Sequence, residues 1–210
     1  MEILADGDEL HATWSRFAPG KDGANPHIHR QHTDLFYVLA GELTIGLGPD
    51  REETVVPVGS LVIAPPLVIH AFRNGSATDE VRYLNFHAPG GGFADYLRGR
   101  QPSFDSEDPP ADGGRPVEDA TITRGELVVD LDEIRIAEVR GELAEDDDRR
   151  HTEFFYVLAG AVTFSHGADE LPAETGAWIQ IPAGIAYTLT GSDEARYLHI
   201  QAPGRSREPA

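Results

Sequence analysis

The chain contains no cysteine. Disulfides, thiolate nucleophiles and thiolate ligands are thereby excluded, so any transition metal must be held by nitrogen and oxygen. Positive charge is scarce: Lys and Arg number 17 against 36 Asp and Glu, for a net charge of −19, and Lys21 is the sole lysine. Such a surface repels phosphate backbones and anionic membranes, so no nucleic-acid partner is expected. Long hydrophobic runs are missing too. None approaches the roughly 20 residues of a membrane helix, so no membrane partner is expected. The N-terminal run Met1-Glu2-Ile3-Leu4-Ala5-Asp6-Gly7-Asp8 is acidic, with no basic segment leading into an apolar one. It reads as no signal peptide, and a cytoplasmic location is the expectation.

What is present suits a folded β-protein. The 210 residues, 40% hydrophobic and 25% charged, can build one large core or two small ones. Apolar residues mostly alternate with polar ones and are interrupted by Gly, Pro, Asn and Asp, the pattern of short antiparallel strands. Strands are predicted at 9–17, 27–29, 34–39, 42–47, 54–58, 61–64, 70–74 and 81–87. Phe93, Tyr96 and Leu97 share one helical face ahead of Gly99, predicting a short helix over 93–98. Residues 101–120, rich in Pro, Gly, Asp and Ser, read as a linker, and 205–210 as a frayed tail.

The same order of blocks occurs twice. Glu153-Phe154-Phe155-Tyr156-Val157-Leu158-Ala159-Gly160 repeats Asp34-Leu35-Phe36-Tyr37-Val38-Leu39-Ala40-Gly41. Gly176 to Pro182 repeats Gly59 to Pro65, and Arg196-Tyr197-Leu198-His199-Ile200-Gln201-Ala202-Pro203-Gly204 repeats Arg82-Tyr83-Leu84-Asn85-Phe86-His87-Ala88-Pro89-Gly90. Three matched blocks in matched order indicate tandem duplication of a small all-β domain. The expected division is residues 1–100, a linker at 101–120, and 121–210.

The first copy carries the chemistry. His27 and His29 are two apart, so an extended strand turns both imidazoles to one face. Asp34 returns a carboxylate after a short turn, and His70 follows the Pro65-Pro66 break that re-aims the chain. Three imidazoles and one carboxylate suit one divalent first-row ion (Fe, Mn, Ni, Cu or Zn) with a position left for substrate. A lone histidine on a strand is ordinarily a packed or exposed side chain. His32 is therefore read as a surface or neighbouring residue of the turn, and His87 and Tyr83 as strand residues that could line the pocket.

These residues resemble the two motifs of the cupin superfamily. The first motif runs His-x-His, four residues, Glu, six residues, Gly; here it reads His27, His29, Asp34, Gly41. The second runs Gly, five residues, Pro-x-Gly, two residues, His, three residues, Asn; here it reads Gly59, Pro65, His70, Asn74. Asp34 stands where Glu is usual, and Leu67 replaces the second motif's glycine, which should alter that turn. The resemblance implies two tandem double-stranded β-helix (jelly-roll) barrels, a bicupin similar to the quercetin dioxygenase type. It implies His27, His29, Asp34 and His70 as metal ligands, with Asp34 also a base once loosened from the ion.

In the second copy the ligand positions fall on Asp146, Asp148, Glu153 and Tyr187. No ligand histidine survives, so the second barrel is read as scaffold. The expected activity is dioxygenase-like oxidation of a small phenolic or enolic compound. A redox-neutral metal-dependent isomerase or decarboxylase is a second reading, and a non-catalytic barrel for a small ligand is a third. A homodimer of such chains is compatible with each.

Overall fold

The computed structural model describes residues 1–124, 128–143 and 150–203, which are largely strand. The chain forms two compact units, Met1–Gly125 and Glu126–Ala210. In the first, a six-stranded antiparallel sheet and a three-stranded one make the two faces of a jelly roll. The large sheet runs β1 (Glu2–Asp6), β2 (His11–Phe17), β8 (Val81–Ala88), β3 (Thr33–Ala40), β6 (Ser60–Ala64), β9 (Thr121–Arg124). The small sheet runs β5 (Glu52–Pro57), β4 (Glu42–Leu47), β7 (His70–Arg73). The predicted helix is present as α1 (Phe93–Leu97).

Register explains where the polar side chains go. Asp34 of β3 pairs with His87 of β8, which pairs with His11 of β2. Residues directly opposite in neighbouring strands project from the same face, so these three form one row across the sheet. The next inward rows are Phe36, Asn85 and Thr13, then Val38, Tyr83 and Ser15. The interior thus grades from polar at the start of β3 to apolar further along it. The apolar end is a buried cluster of Phe36, Val38, Leu43, Ile45, Val56, Val62, Val81 and Tyr83. Each buried side chain of this size contributes about 1.5–3 kcal/mol. Exposed ion pairs such as Arg16–Glu80 at 3.4 Å contribute at most about 1 kcal/mol, so the cluster holds the barrel together.

Two segments differ from the sequence expectation. Residues 27–29 do not form a continuous strand. His27 makes a two-way backbone bridge with His70 and Ile28 makes another with Glu107. Residues 101–124, expected as a linker and the start of the second barrel, lie on the first unit. Their Glu107 backbone closes on Ile28, and β9 completes the large sheet against β6. The Pro, Gly and Asp content that suggests a linker also suits a close-fitting loop, because both need turns.

The second unit repeats the plan. A five-stranded sheet runs β10 (Val128–Asp130), β11 (Arg135–Arg140), β17 (Arg196–Ala202), β12 (Thr152–Ala159), β15 (Trp178–Ile181). A three-stranded sheet runs β14 (Asp169–Glu174), β13 (Ala161–His166), β16 (Thr188–Gly191). β12 stands between β17 and β15 as β3 stands between β8 and β6, with matching irregularities at Val157/Ala159 and Val38/Ala40. Each strand ends in a left-handed glycine, Gly160 (φ 69°) and Gly41 (φ 71°). Asp146, Asp148 and the tail at 205–210 lie outside the described residues.

Candidate metal centre

The four residues singled out by the motifs meet at the polar end of the first unit. His27, His29, Asp34 and His70 are all buried, and one ligand atom from each lies within 4.8 Å of the others. Backbone carbonyls orient all three imidazoles. His27 Nδ1 donates to Asn25 O at 2.7 Å, His70 Nδ1 to Val68 O at 2.9 Å, and His29 Nδ1 to Asp105 O. A carbonyl only accepts, so the proton sits on Nδ1 and the Nε2 atom is the one offered inward.

These Nε2 atoms face a carboxylate. His70 Nε2 is 3.1 Å and His29 Nε2 3.5 Å from Asp34 Oδ2. A nitrogen lone pair turned to an anionic oxygen at that range is repulsive unless a proton or a cation lies between. Separations of about 3 Å are also what two neighbouring ligands of one ion show when each bond is about 2.1 Å. The donor set therefore fits a divalent ion. Burial disfavours charge on His27 and pushes it down to about 4, helped by His70 and His29. For His29 burial acts the same way, but the Asp34 carboxylate outweighs it and the ring is pushed up. Burial would raise Asp34; His87, His29 and His70 instead hold it well below the ordinary carboxylate range. Its other oxygen, Oδ1, accepts a hydrogen bond from Asn85 Nδ2 and lies 3.4 Å from His87 Nε2.

The structure adds residues that the motifs do not mark. Asp105 reaches the site from the supposed linker: Oδ1 accepts Arg30 N–H at 3.0 Å, Oδ2 accepts Gln31 N–H at 2.7 Å, and its carbonyl holds His29. It is 76 residues from His29 in sequence, and no local signal connects them. Phe104 beside it packs against His29 and Phe93, with ring centroids 5.7 and 4.5 Å apart. His32, expected at or near the surface, is wholly buried and stacks on His87 at 4.5 Å. His11 is buried next to His87; its even spacing from Thr13 and Ser15 was the available signal. Leu67 keeps a left-handed backbone (φ 70°). The turn that glycine would make is thus retained, contrary to the expectation of an altered one.

Several of these nitrogens are unsatisfied. Both nitrogens of His11 and of His32, and Nδ1 of His87, have no hydrogen-bond partner among the described residues. His32 Nδ1 comes within 3.2 Å of Asp105 Oδ2 but off the line of a hydrogen bond. A buried polar group left so costs about 1–3 kcal/mol.

The second unit shows what the same position looks like when closed. Glu153 is buried and accepts from Tyr187 Oη, with His199 Nε2 at 3.2 Å and Gln201 Nε2 at 3.5 Å. Burial would raise this carboxyl; His199 and Tyr187 bring it below its ordinary value. Tyr187 stands where the register puts His70, and it hydrogen-bonds the carboxylate instead of offering a metal ligand. A cleft of about 180 Å³ in the first unit, lined by residues including Asn25, Pro26, Ala71 and Phe72, contains none of the site histidines. Among its lining residues is Asn25, whose carbonyl orients His27.

Residues 13–87 match the family model described as Cupin domain. No curated protein matches the chain in sequence. Among solved structures, protein Ylba from E. coli superposes with a TM-score of 0.69 at 12% identity, covering 99% of this chain and 84% of that one. A mutant of salicylate 1,2-dioxygenase from Pseudoaminobacter salicylatoxidans gives 0.65 at 10% identity, covering 92% and 71%. A putative glyoxylate induced protein from Pseudomonas aeruginosa gives 0.61 at 16% identity, covering 95% and 77%. At these identities the likeness is one of fold.

Proposed function

Because residues 13–87 of this chain match the cupin domain family model, we propose that it is a metal-dependent oxidoreductase of the dioxygenase type, acting on a small phenolic or enolic compound. The observation that carries this reading is the convergence of the buried His27, His29 and His70 with the Asp34 carboxylate. The likeness to salicylate 1,2-dioxygenase supports a hydroxylated aromatic or enolic substrate. A divalent ion held by His27, His29, Asp34 and His70 would supply Lewis acidity and, for a redox-active metal, electron transfer to dioxygen.

The chain's own residues do the rest. The carbonyls of Asn25, Val68 and Asp105 hold the three rings in the liganding tautomer. Phe93 and Phe104 pack on each other and over the histidines, Phe104 on His29 and His87 and Phe93 on His87, an apolar cover of the kind that suits an aromatic guest. Asp34 stays ionised, which suits a ligand; it accepts a substrate hydroxyl proton only once its bonds to histidine or metal loosen.

The test is elemental analysis of protein purified without added metal, beside a His27→Ala/His70→Ala variant. The expected outcome is bound Fe, Mn, Ni or Cu, with one ion per chain fewer in the variant, and oxygen uptake with phenolic or enolic substrates. Zinc without oxygen uptake would instead favour a redox-neutral isomerase or decarboxylase, for which the ionised Asp34 supplies the proton acceptor. No difference in metal content between the two proteins would sink both.

A further inference from the structure

The centre is shut in this structure. His27 is 8% exposed, and His29, Asp34 and His70 are 2% exposed each, so an organic substrate meets them only when part of the chain moves. Much of the surrounding chain is pinned by backbone pairing. Residues 22–27 hold β7 through Gly23 N–H to Phe72 O at 3.0 Å and through the bridge between His27 and His70. The Leu67 turn donates to His29 O at 2.7 Å and accepts Arg115 N–H at 3.0 Å. Residues 91–104 differ. Every backbone hydrogen bond that they make among the described residues ends within 90–106. Arg98 with Asp6 is their one side-chain hydrogen bond or ion pair to the rest of the described residues. Both members of that pair are partly exposed, 34% and 44%, and such pairs are weak.

The rest of the hold is aromatic. Phe93 packs on His11 and His87 with ring centroids 5.0 and 4.8 Å apart, and Phe104 on His29 and His87 at 5.7 and 6.0 Å. Both phenylalanines are themselves half-buried, and Ala94 is the one buried residue from 89 to 104. The two ends of the stretch are fixed. Gly90 N–H donates to Asp8 O at 2.9 Å, and the Asp105 carboxylate holds the Arg30 and Gln31 amides. Gly91 and Gly92, the latter left-handed at φ 77°, stand just inside the first anchor, where small residues absorb a change of φ and ψ. A segment with few buried contacts and no backbone pairing to its surroundings opens locally while the core stays folded. Its position is over the barrel mouth. Register puts the end of β8, the start of β3 and the start of β2 together, with Thr33 opposite Ala88 and His11 opposite His87, and the segment follows β8 directly. From this placement we infer that residues 91–104 are a hinged flap, latched by Arg98 on Asp6, that swings off His29 and His87 to admit the substrate. Its two phenylalanines give up ring contacts on opening, and an aromatic guest in the centre replaces them on closing.

This inference rests on the functional reading for what the flap admits, so the experiment reads the flap without metal. Metal-stripped full-length protein is treated with diethyl pyrocarbonate, which acylates accessible imidazoles, and labelling of His87 is followed by mass spectrometry. His87 lies under both phenylalanines and is not one of the four ligands. Arg98→Ala is expected to speed its labelling about two- to fivefold, the effect of losing an exposed ion pair. The chain has no cysteine of its own, so Asp6→Cys/Arg98→Cys can be bridged with a bis-maleimide. The bridged protein is expected to label His87 roughly tenfold more slowly than the same variant capped with N-ethylmaleimide, because local opening is then blocked. His199, buried in the second unit, should label equally in all of these, which excludes global unfolding. Equal His87 labelling in bridged and capped protein overturns the flap. Slowing by the bridge with no effect of Arg98→Ala keeps the flap and overturns the latch. If the variants fail to fold, hydrogen exchange of the wild type decides: amides of 93–98 are expected to exchange well before those of β8, and equal protection overturns the flap. Equilibrium dialysis of the wild type with Co²⁺ tests the functional reading separately; absence of binding overturns that reading and leaves the flap to the labelling result.

Discussion

Leu67 shows what a single residue costs at the histidine-rich end of the barrel. It holds φ 70° where the cupin motif has glycine, donates its N–H to His29 O at 2.7 Å and accepts Arg115 N–H at 3.0 Å. The left-handed region costs an L-residue about 1–2 kcal/mol, and Leu67 recovers little by burial, being 37% exposed. Leu67→Gly is therefore expected to stabilise the protein by about 1 kcal/mol, less than the full strain because glycine gives up more freedom on folding. Urea unfolding would show a higher midpoint at unchanged slope; a lower midpoint would mean that the leucine side chain stabilises more than its backbone costs.

At the scale of elements, the segment following α1 decides how firmly the site is set. Residues 104 and 105 cover the histidines, and the Asp105 carboxylate holds the two amides directly after His29. Removing that carboxylate leaves Arg30 and Gln31 N–H without their partner and frees the carbonyl that orients His29. Outer groups of this kind are worth about 10–100-fold in metal affinity. Asp105→Ala is expected to weaken metal binding by about that factor, read by competition with a chelator, while far-UV circular dichroism stays unchanged. Unaltered affinity would show that Ile28–Glu107 pairing alone holds the segment in place.

For the whole molecule, each unit has its own two sheets and its own buried cluster. A chain comprising residues 1–125 is expected to fold and bind metal. A chain stopping at residue 120 loses β9, and with it the pairing of four residues along β6. At about 0.5–1.5 kcal/mol per hydrogen bond and about one bond per paired residue, it should be less stable by about 2–6 kcal/mol in urea unfolding. Equal stability of the two fragments would show that β9 contributes nothing to the first unit. Among the described residues no helix is long and apolar enough to cross a membrane.

Much of this was legible in the chain itself. Period-two alternation and the repeated blocks around Asp34 and Glu153 determined the all-β duplicated fold, because strand periodicity and hairpin glycines are local properties. The spacing of His27, His29, Asp34 and His70 marked one candidate site, because a motif's residue types and intervals can be matched along the chain without knowing which strands become neighbours. The tertiary structure decided the remainder. It drew Asp105 across 76 positions onto His29, moved β9 to the first unit, and lined up Asp34, His87 and His11 in one row. Such facts depend on which strands become neighbours and in what register. Register is set by how the whole core packs, and no local stretch of sequence carries it.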